Sequence, residues 1–216
     1  MADISEHAKA FQKNDLGYDE VGDTVLRPHY FAHVVLRTAN YLPMRNFYKT
    51  FLGGHATYEN EKLCFITYDE EHHRVAIINL ADTGPKIASS AGLELDTDCR
   101  DETEHIAYAF KSLEDLAVAY RQRKARGIVP VWSVNHGPTT SMYYKDPDGN
   151  KIEVQVDNFD TVQETTEFFH TKEFAENPIG VDFDPEDLIR RLRSGEDPKA
   201  IMKRPNIGPR TSFNRP

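Results

Sequence analysis

Two histidines and one glutamate in this sequence have the types and spacing that suit a metal ion. His33 and His105 each lie in an apolar segment with the alternation of a strand, and Glu153 lies in a third such segment. Successive side chains of a strand point to opposite faces, so all three fall on the face opposite the apolar side chains. Two imidazoles and one carboxylate are the ligands of a mononuclear non-haem Fe(II) site with open positions, and Mn(II) is also compatible.

Each of these residues has a simpler interpretation when it is taken alone. A single histidine in a strand is more often a hydrogen-bonded core residue than a ligand, and a single glutamate usually faces solvent. The joint pattern favours a metal site, because the two histidines occupy equivalent positions of an internal repeat.

The repeat is visible in the spacing of its histidines and tyrosines. His33 and Tyr48 are separated by the same number of residues as His105 and Tyr120. Each half has the pattern strand, helix, strand, strand, strand. The sequence therefore predicts an α+β fold, with two βαβββ modules at about 28–82 and 103–158 forming a curved mixed sheet or half-barrel.

The first module does not carry a counterpart of the glutamate. When the last strands of the two modules are aligned, Glu153 corresponds to Ala76, and alanine cannot bind a metal. The predicted ion would therefore keep three protein ligands and open positions for other molecules.

The repeat is flanked by two segments of different composition. Residues 1–27 are polar and are interpreted as an N-terminal arm, and 28–160 form the main domain. Residues 161–216 are rich in proline and predict an extension with one short helix, which starts with Asp184 as N-cap and Pro185 in its first turn. This extension could cap the site, mediate dimerisation or brace the fold.

Composition argues against several classes of function. The formal net charge of -9 argues against broad binding to nucleic acid or to anionic membranes. The mean hydropathy is -0.62, and no apolar run approaches the roughly 20 residues of a membrane-spanning helix. Cys64 and Cys99 cannot make a disulfide framework, and no secretory signal is recognised at the start of the sequence. We expect a cytoplasmic protein.

Four segments together resemble the vicinal oxygen chelate superfamily, which contains glyoxalases, bleomycin resistance proteins and extradiol dioxygenases. They are the strand with His33, the helix end NFYKTFLGG, the strand EHIAYAF and the closing YYKDPDGNKIEVQVDN. The run from Asp146 to Glu153 is highly characteristic of the superfamily. The resemblance covers about residues 28–160, and it implies the two-module fold with His33, His105 and Glu153 as metal ligands.

Within this superfamily the sequence most resembles single-domain extradiol dioxygenases of the 2,3-dihydroxybiphenyl type. These enzymes place one histidine on the first strand of each module and a glutamate on the last strand. The segment from Val134 to Tyr144 also resembles the extradiol stretch with an active-site histidine and tyrosine, which implies catalytic roles for His136 and Tyr143. The resemblance implies Fe(II), or Mn(II), as cofactor, and a small aromatic diol and O2 as substrates. We also expect a homo-oligomer.

The sequence departs from the two-domain extradiol enzymes in two places. Those enzymes carry another active-site histidine shortly before the second metal histidine, and segment 90–104 has none. His72 or His73 could fill that place from another strand. The spacing from His136 to Tyr143 is also shorter. Two other classes therefore stay open: a different metal-dependent enzyme (isomerase or epimerase, lyase or thiol transferase) and a non-enzymatic small-molecule-binding protein.

Overall fold

The structure is a computed structural model that describes residues 28–80 and 105–211. The interpretation of 1–27 as an arm falls outside the described residues, as does Cys99. The first module consists of β1 (Val34–Thr38), α1 (Tyr41–Leu52), β2 (His55–Glu59), β3 (Leu63–Thr67) and β4 (Val75–Asn79). The second consists of β5 (His105–Ala109), α2 (Leu113–Lys124), β6 (Trp132–Asn135), β7 (Thr139–Lys145) and β8 (Lys151–Asp157). The C-terminal extension contains α3 (Val162–Phe169), α4 (Lys172–Glu176), β9 (Val181–Asp182), α5 (Pro185–Arg193) and α6 (Pro198–Met202).

The strands form two mixed sheets, one for each module. Their orders are β1-β4-β3-β2 and β5-β8-β7-β6-β9. In each sheet the first and last strands of the module are parallel neighbours, and the other pairs are antiparallel. A shift of register between Ala56 and Tyr58 interrupts the pairing of β2 with β3. The predicted α+β fold of two βαβββ modules is confirmed.

The strand register also confirms the alignment of the two modules. Val35 of β1 pairs with Ala76 of β4, and Ala107 of β5 pairs with Glu153 of β8. Val35 and Ala107 each lie two residues after the histidine of their own module. Ala76 therefore occupies the place in the first sheet that Glu153 occupies in the second.

Apolar side chains of both modules join in one core. Helix α1 contributes Met44, Tyr48 and Phe51, which are all buried. The Phe51 ring meets Tyr144 of β7 edge to face, with their centroids 5.1 Å apart. The guanidinium of Arg123 in α2 donates to the Phe51 carbonyl at 2.7 and 3.0 Å. Helix α1 therefore ends against the second module, and the two modules pack as one body.

Local sequence signals account for the helix ends near this core. Ser112 accepts a hydrogen bond from the Asp115 backbone and caps α2. Gly53 ends α1 in the left-handed conformation with φ of 64°. Gly54 follows where the chain passes so close to β3 that a Cβ atom would lie 2.3 Å from the Thr67 carbonyl oxygen.

The first strand starts later than the sequence predicts. The alternation of residues 30–37 predicts a strand that includes His33, but β1 begins at Val34, and His33 lies just before it. The carbonyls of Phe31 and Ala32 accept hydrogen bonds from the Arg74 guanidinium, both at 2.9 Å. The Arg74 side chain thus provides the hydrogen bonds to these two carbonyls that a neighbouring strand would otherwise provide.

The C-terminal extension is more structured than the sequence predicts. The predicted helix that starts after Asp184 is confirmed as α5. The prediction of only one helix is wrong, because α3, α4 and α6 also form. Thr161 and Glu164 make a reciprocal capping box at the start of α3, and Asp197 with the following proline starts α6. Among the described residues, no helix is long and apolar enough to cross a membrane.

Candidate functional site

Four side chains form a hydrogen-bonded chain on the second sheet, on the face opposite α2. His105 Nε2 lies 2.8 Å from Glu153 Oε2. The Tyr143 hydroxyl lies 3.0 Å from the other carboxylate oxygen of Glu153 and 2.9 Å from His136 Nε2. Three of the residues come from the neighbouring strands β5, β8 and β7, and His136 directly follows β6. The structure therefore brings together four of the five residues that the sequence singles out.

Strand register explains why these side chains meet. Tyr143 pairs directly with Glu153 on one side and with Trp132 on the other, so the three side chains lie on one face. The Trp132 ring stacks on Tyr143 with centroids 4.9 Å apart. The same face of β5 presents His105, Ala107 and Ala109, all exposed. The small side chains of the two alanines leave open space beside the histidine.

Glu153 is a buried carboxylate that stays ionised. Its side chain belongs to a residue only 5% exposed. Burial alone would raise the pKa of Glu153, but hydrogen bonds to His105, Ser141 and Tyr143 favour the charged form and hold the pKa below its ordinary value. At neutral pH the site therefore contains a fixed negative charge beside an imidazole.

Tyr143 and His136 are both held in their neutral forms. Burial raises the pKa of Tyr143, and the negative charge of Glu153 raises it further, so the hydroxyl keeps its proton. Burial lowers the pKa of His136, although a hydrogen bond to the Ile179 carbonyl and the charge of Glu153 oppose this effect. The site therefore has a neutral imidazole next to a neutral phenol.

The hydrogen bonds of His136 determine which nitrogen carries its proton. Nδ1 lies 2.5 Å from the carbonyl oxygen of Ile179. A carbonyl can only accept, so Nδ1 must donate, and a neutral ring then leaves Nε2 as an acceptor. The single proton of the Tyr143 hydroxyl consequently has two acceptors within reach, Nε2 of His136 and the carboxylate of Glu153.

His33 belongs to a second cluster of imidazoles, at the start of β1. It is exposed, and its ring centroid lies 4.2 Å from that of His73 and 6.2 Å from that of His72. His73 in turn stacks on Phe65 of β3, with centroids 4.5 Å apart. Burial lowers the pKa of His73, and the neighbouring charges of His33 and His72 lower it further. The structure thus places the His72–His73 pair beside the first predicted metal ligand.

A cavity of about 200 Å³ lies where the first sheet faces the second. It is lined by Val34 and Arg74 of the first module and by Ala107 and Tyr108 of β5. The start of β1, with His33 directly before it, therefore lies alongside β5, the strand that carries His105.

Two of the three predicted metal ligands, His105 and Glu153, are spaced as adjacent ligands of one metal ion. Metal–ligand bonds of about 2.1 Å that meet at a right angle separate adjacent ligand atoms by about 3 Å. The 2.8 Å between His105 Nε2 and Glu153 Oε2 is close to that separation. Within 28–80 and 105–211, however, no three histidine, cysteine, aspartate or glutamate side chains are close enough together to hold a metal ion. The ligand set of His33, His105 and Glu153 stays a prediction.

The sequence gives only weak signals for the groups that support this site. Trp132 is two residues before Val134 in an alternating strand, which indicates its face but not its stacking partner. The carbonyl of Ile179 is a backbone atom from another part of the chain, and no motif marks it.

Comparison with known proteins gives a family model and two curated relatives. The model of the Glyoxalase/Bleomycin resistance protein/Dioxygenase superfamily matches residues 30–154. Biphenyl-2,3-diol 1,2-dioxygenase 2 of Rhodococcus globerulus is 45% identical over 76% of this chain and 82% of its own length. Biphenyl-2,3-diol 1,2-dioxygenase 3 of the same organism is 42% identical, with the same coverage of both chains.

Solved structures also resemble part of the chain. A lactoylglutathione lyase from Agrobacterium tumefaciens has a TM-score of 0.46 and 14% sequence identity, and the match covers 60% of this chain and 94% of that one.

Proposed function

Because the chain belongs to the Glyoxalase/Bleomycin resistance protein/Dioxygenase superfamily, we propose that it is an extradiol dioxygenase that opens the ring of an aromatic diol such as biphenyl-2,3-diol with O2. The two curated relatives support this activity, since each is more than 40% identical over 76% of the chain. The observation in the structure that carries the proposal is the hydrogen-bonded chain from His105 through Glu153 and Tyr143 to His136.

The proposed cofactor is Fe(II), with Mn(II) as the alternative, held by His33, His105 and Glu153. The convergence of His105 and Glu153 supports this assignment, as does the strand register, which gives His33 and His105 equivalent positions in the two modules. When bound, Fe(II) supplies the electron transfer between diol and O2 that protein side chains do not provide. Glu153 contributes a carboxylate that is ionised at neutral pH.

The side chains of this face would bind the diol and accept its proton. Ala107 and Ala109 leave room for a flat ring on β5, and Trp132 and Tyr143 supply aromatic surface at the side. His136 Nε2 is a neutral acceptor, as a general base must be. The Tyr143 hydroxyl, which lies 2.9 Å from Nε2, can donate its proton to His136 while it accepts one from the diol.

We propose that His73 takes the place of an active-site histidine that two-domain extradiol enzymes have and this chain lacks. Segment 90–104 lacks the histidine that two-domain extradiol enzymes carry, and His73 lies within ring contact of His33 instead. A neutral imidazole in this position would accept a proton from the diol. We propose that it faces the diol from the side of the first sheet.

The decisive experiment is oxygen uptake by the full chain purified without air and loaded with Fe(II). With 2,3-dihydroxybiphenyl we expect O2 consumption and a yellow ring-fission product. The variants His33→Ala, His105→Ala and Glu153→Ala should lose both iron and activity. Asp157→Ala is the matched control, because Asp157 is an exposed carboxylate on the same strand and of the same strand parity as Glu153.

Each of the other outcomes overturns the proposal in a different way. Bound metal without O2 uptake on a panel of catechols would favour an isomerase, epimerase, lyase or thiol transferase. A protein that binds no metal would favour a small-molecule-binding role. Two further expectations accompany the proposal: a homo-oligomer, which sedimentation velocity would test, and a cytoplasmic location, which cell fractionation would test.

A further inference from the structure

The C-terminal extension surrounds the turn that carries His136. The Ile179 carbonyl accepts from His136 Nδ1, and β9 pairs with β6 directly before the turn. The side-chain amide of Asn135 donates to the Met202 carbonyl at 2.7 Å. Contacts with residues 43 and 67 positions further along the chain therefore hold two consecutive residues of the turn.

Arg204 is the centre of these contacts. Only 8% of the residue is exposed. Its guanidinium donates to the His136 carbonyl at 2.9 Å and to the Asn177 carbonyl at 2.8 Å, and it pairs with Glu173 of α4. The same group lies 5.1 Å from the centroid of the Phe168 ring in α3. One buried side chain thus connects the turn with α4, with the end of α3 and with the segment that leads to Ile179.

Two glycines show how closely the extension approaches the turn. A Cβ atom on Gly137 would lie 2.5 Å from the Phe168 ring. A Cβ atom on Gly180 would lie 2.3 Å from the Asn135 carbonyl oxygen and 2.8 Å from His136 Cα. Both glycines also have positive φ, of 102° and 114°. The contact therefore leaves no space for the turn to shift toward the extension.

The extension also holds the aromatic neighbour of Tyr143. The indole nitrogen of Trp132 donates to Asp182 Oδ1 at 2.9 Å. Arg210 donates to the same oxygen at 2.8 Å. Since Trp132 stacks on Tyr143, residues of the extension restrain both members of the His136–Tyr143 pair.

We propose that the C-terminal extension positions the His136–Tyr143 pair, with the Ile179 carbonyl fixing His136 as the Nδ1–H tautomer and Arg204 as the positioning residue that holds the turn in place. A neutral imidazole on a free turn can exchange its tautomers and rotate, and Nε2 would then not be reserved for Tyr143. Among the described residues, the Arg204 guanidinium contacts backbone carbonyls, the Glu173 carboxylate and the Phe168 ring, so it acts through His136. The consequence for turnover rests on the proposed function, whereas the tautomer does not.

The tautomer is measured directly by NMR of the full chain with 15N-labelled histidines, without added metal, at neutral pH. His136→Gln identifies the resonances of His136. We expect a protonated Nδ1 and an unprotonated Nε2 in the unsubstituted protein. The opposite tautomer, or equal populations of both, would overturn the proposal without any variant and regardless of catalytic activity.

Variants of Arg204 test its role in holding the turn. Arg204→Met should mix the two tautomers, and Arg204→Lys, which keeps the charge but not the planar fork, should restore part of the preference. Arg191→Met is the matched control, because Arg191 is a partly buried arginine of the extension whose guanidinium pairs with Glu196. In sequence, Glu196 lies on the other side of α5 from Glu173, the partner of Arg204. If the tautomer of His136 stays unchanged in both Arg204 variants, another group holds the turn, and the role of Arg204 is refuted.

Kinetics of the Fe(II)-loaded protein separate positioning from general stability. We expect kcat of Arg204→Met to fall about 10- to 100-fold with little change in KM, while Arg191→Met keeps its kcat. Urea unfolding of both variants corrects for the folded fraction. A loss of kcat that only follows the unfolded fraction would reduce Arg204 to a structural residue. If the unsubstituted protein does not oxidise any diol, the proposed function fails, and the NMR result still decides the tautomer.

Discussion

Replacing Tyr48 by phenylalanine removes one hydrogen bond from a buried carboxylate and leaves the packing of the ring in place. The Tyr48 hydroxyl donates to Asp146 Oδ2 at 3.0 Å, and both residues are buried. Burial raises the pKa of Tyr48, so the hydroxyl keeps its proton. Asp146 also accepts from the backbone of Asp148 and from the backbone and side chain of Asn150. The carboxylate is therefore not left without partners in the variant.

The size of the effect follows from the charge and burial of the acceptor. A hydrogen bond to a charged group contributes about 1.5–3 kcal/mol, so we expect the free energy of unfolding to fall by about 2 kcal/mol at pH 7. With a urea m-value of about 2 kcal/mol per M, the midpoint should fall by about 1 M. Trp132 fluorescence reports the transition. Tyr120→Phe is the control, because its hydroxyl donates to exposed Glu186, where water can replace it, and the change should be much smaller.

The pH dependence distinguishes a lost hydrogen bond from lost packing. Burial raises the pKa of Asp146 above its ordinary value, and the hydrogen bond from Tyr48 opposes that effect. A carboxyl group with a raised folded pKa stabilises the fold most below its unfolded pKa, and this contribution is lost as the pH rises through the folded pKa. Tyr48→Phe raises the pKa of Asp146 in the folded protein further. The difference in free energy of unfolding between the variant and the unsubstituted protein should therefore shrink on acidification. A loss under about 0.5 kcal/mol at pH 7, or one that grows toward acid pH, would refute this reasoning.

Glycine, thiol and metal chemistry give three further expected outcomes. Gly54→Ala should lower the free energy of unfolding by about 2–4 kcal/mol, because its Cβ would lie 2.3 Å from the Thr67 carbonyl oxygen. Gly127→Ala, with φ of 77° and no atom within 4 Å, should cost about 1 kcal/mol, and equal urea midpoints for the two would contradict the steric argument. Burial raises the pKa of the Cys64 thiol to about 11, so mass spectrometry should find it alkylated at pH 8 only after unfolding; alkylation of the native protein would disagree. Removal of iron by o-phenanthroline should abolish O2 uptake. Addition of Fe(II) should restore the uptake, and addition of Zn(II) should not. Activity that survives the chelator would exclude an iron-dependent reaction.

The second module could be predicted closely because its signals are local. Strand alternation places His105 and Glu153 on the face opposite α2, and the parallel pairing of β5 with β8 brings them together as expected. Tyr143 shares that face because the turn from Asp146 to Asn150 fixes the register between β7 and β8. These relations depend on period and turn type, which a sequence displays directly.

Other parts of the site depend on contacts that no local pattern shows. The start of β1 at Val34 follows from Arg74, whose side chain takes the carbonyls of Phe31 and Ala32. The position of His73 beside His33 follows from the hairpin between β3 and β4, which carries one imidazole across to the start of another strand. Thr161 and Glu164 have the spacing of a capping box, but the proline-rich composition of the extension outweighs this local signal and indicates an irregular chain.

One outer strand of each sheet, β9 and β2, limits self-association of the protein through its sheet edges. Strand β9 is only two residues long, yet it covers β6, whose residues Ser133, Val134 and Asn135 are buried. On the first sheet, the shift of register between Ala56 and Tyr58 makes the outer strand β2 irregular. Short and irregular edges are poor templates for the strands of another molecule. A chain shortened before Val181 would leave the backbone of Val134 and Asn135 as an unpaired, regular edge. We expect it to aggregate, so deletion of the extension would remove solubility together with catalysis.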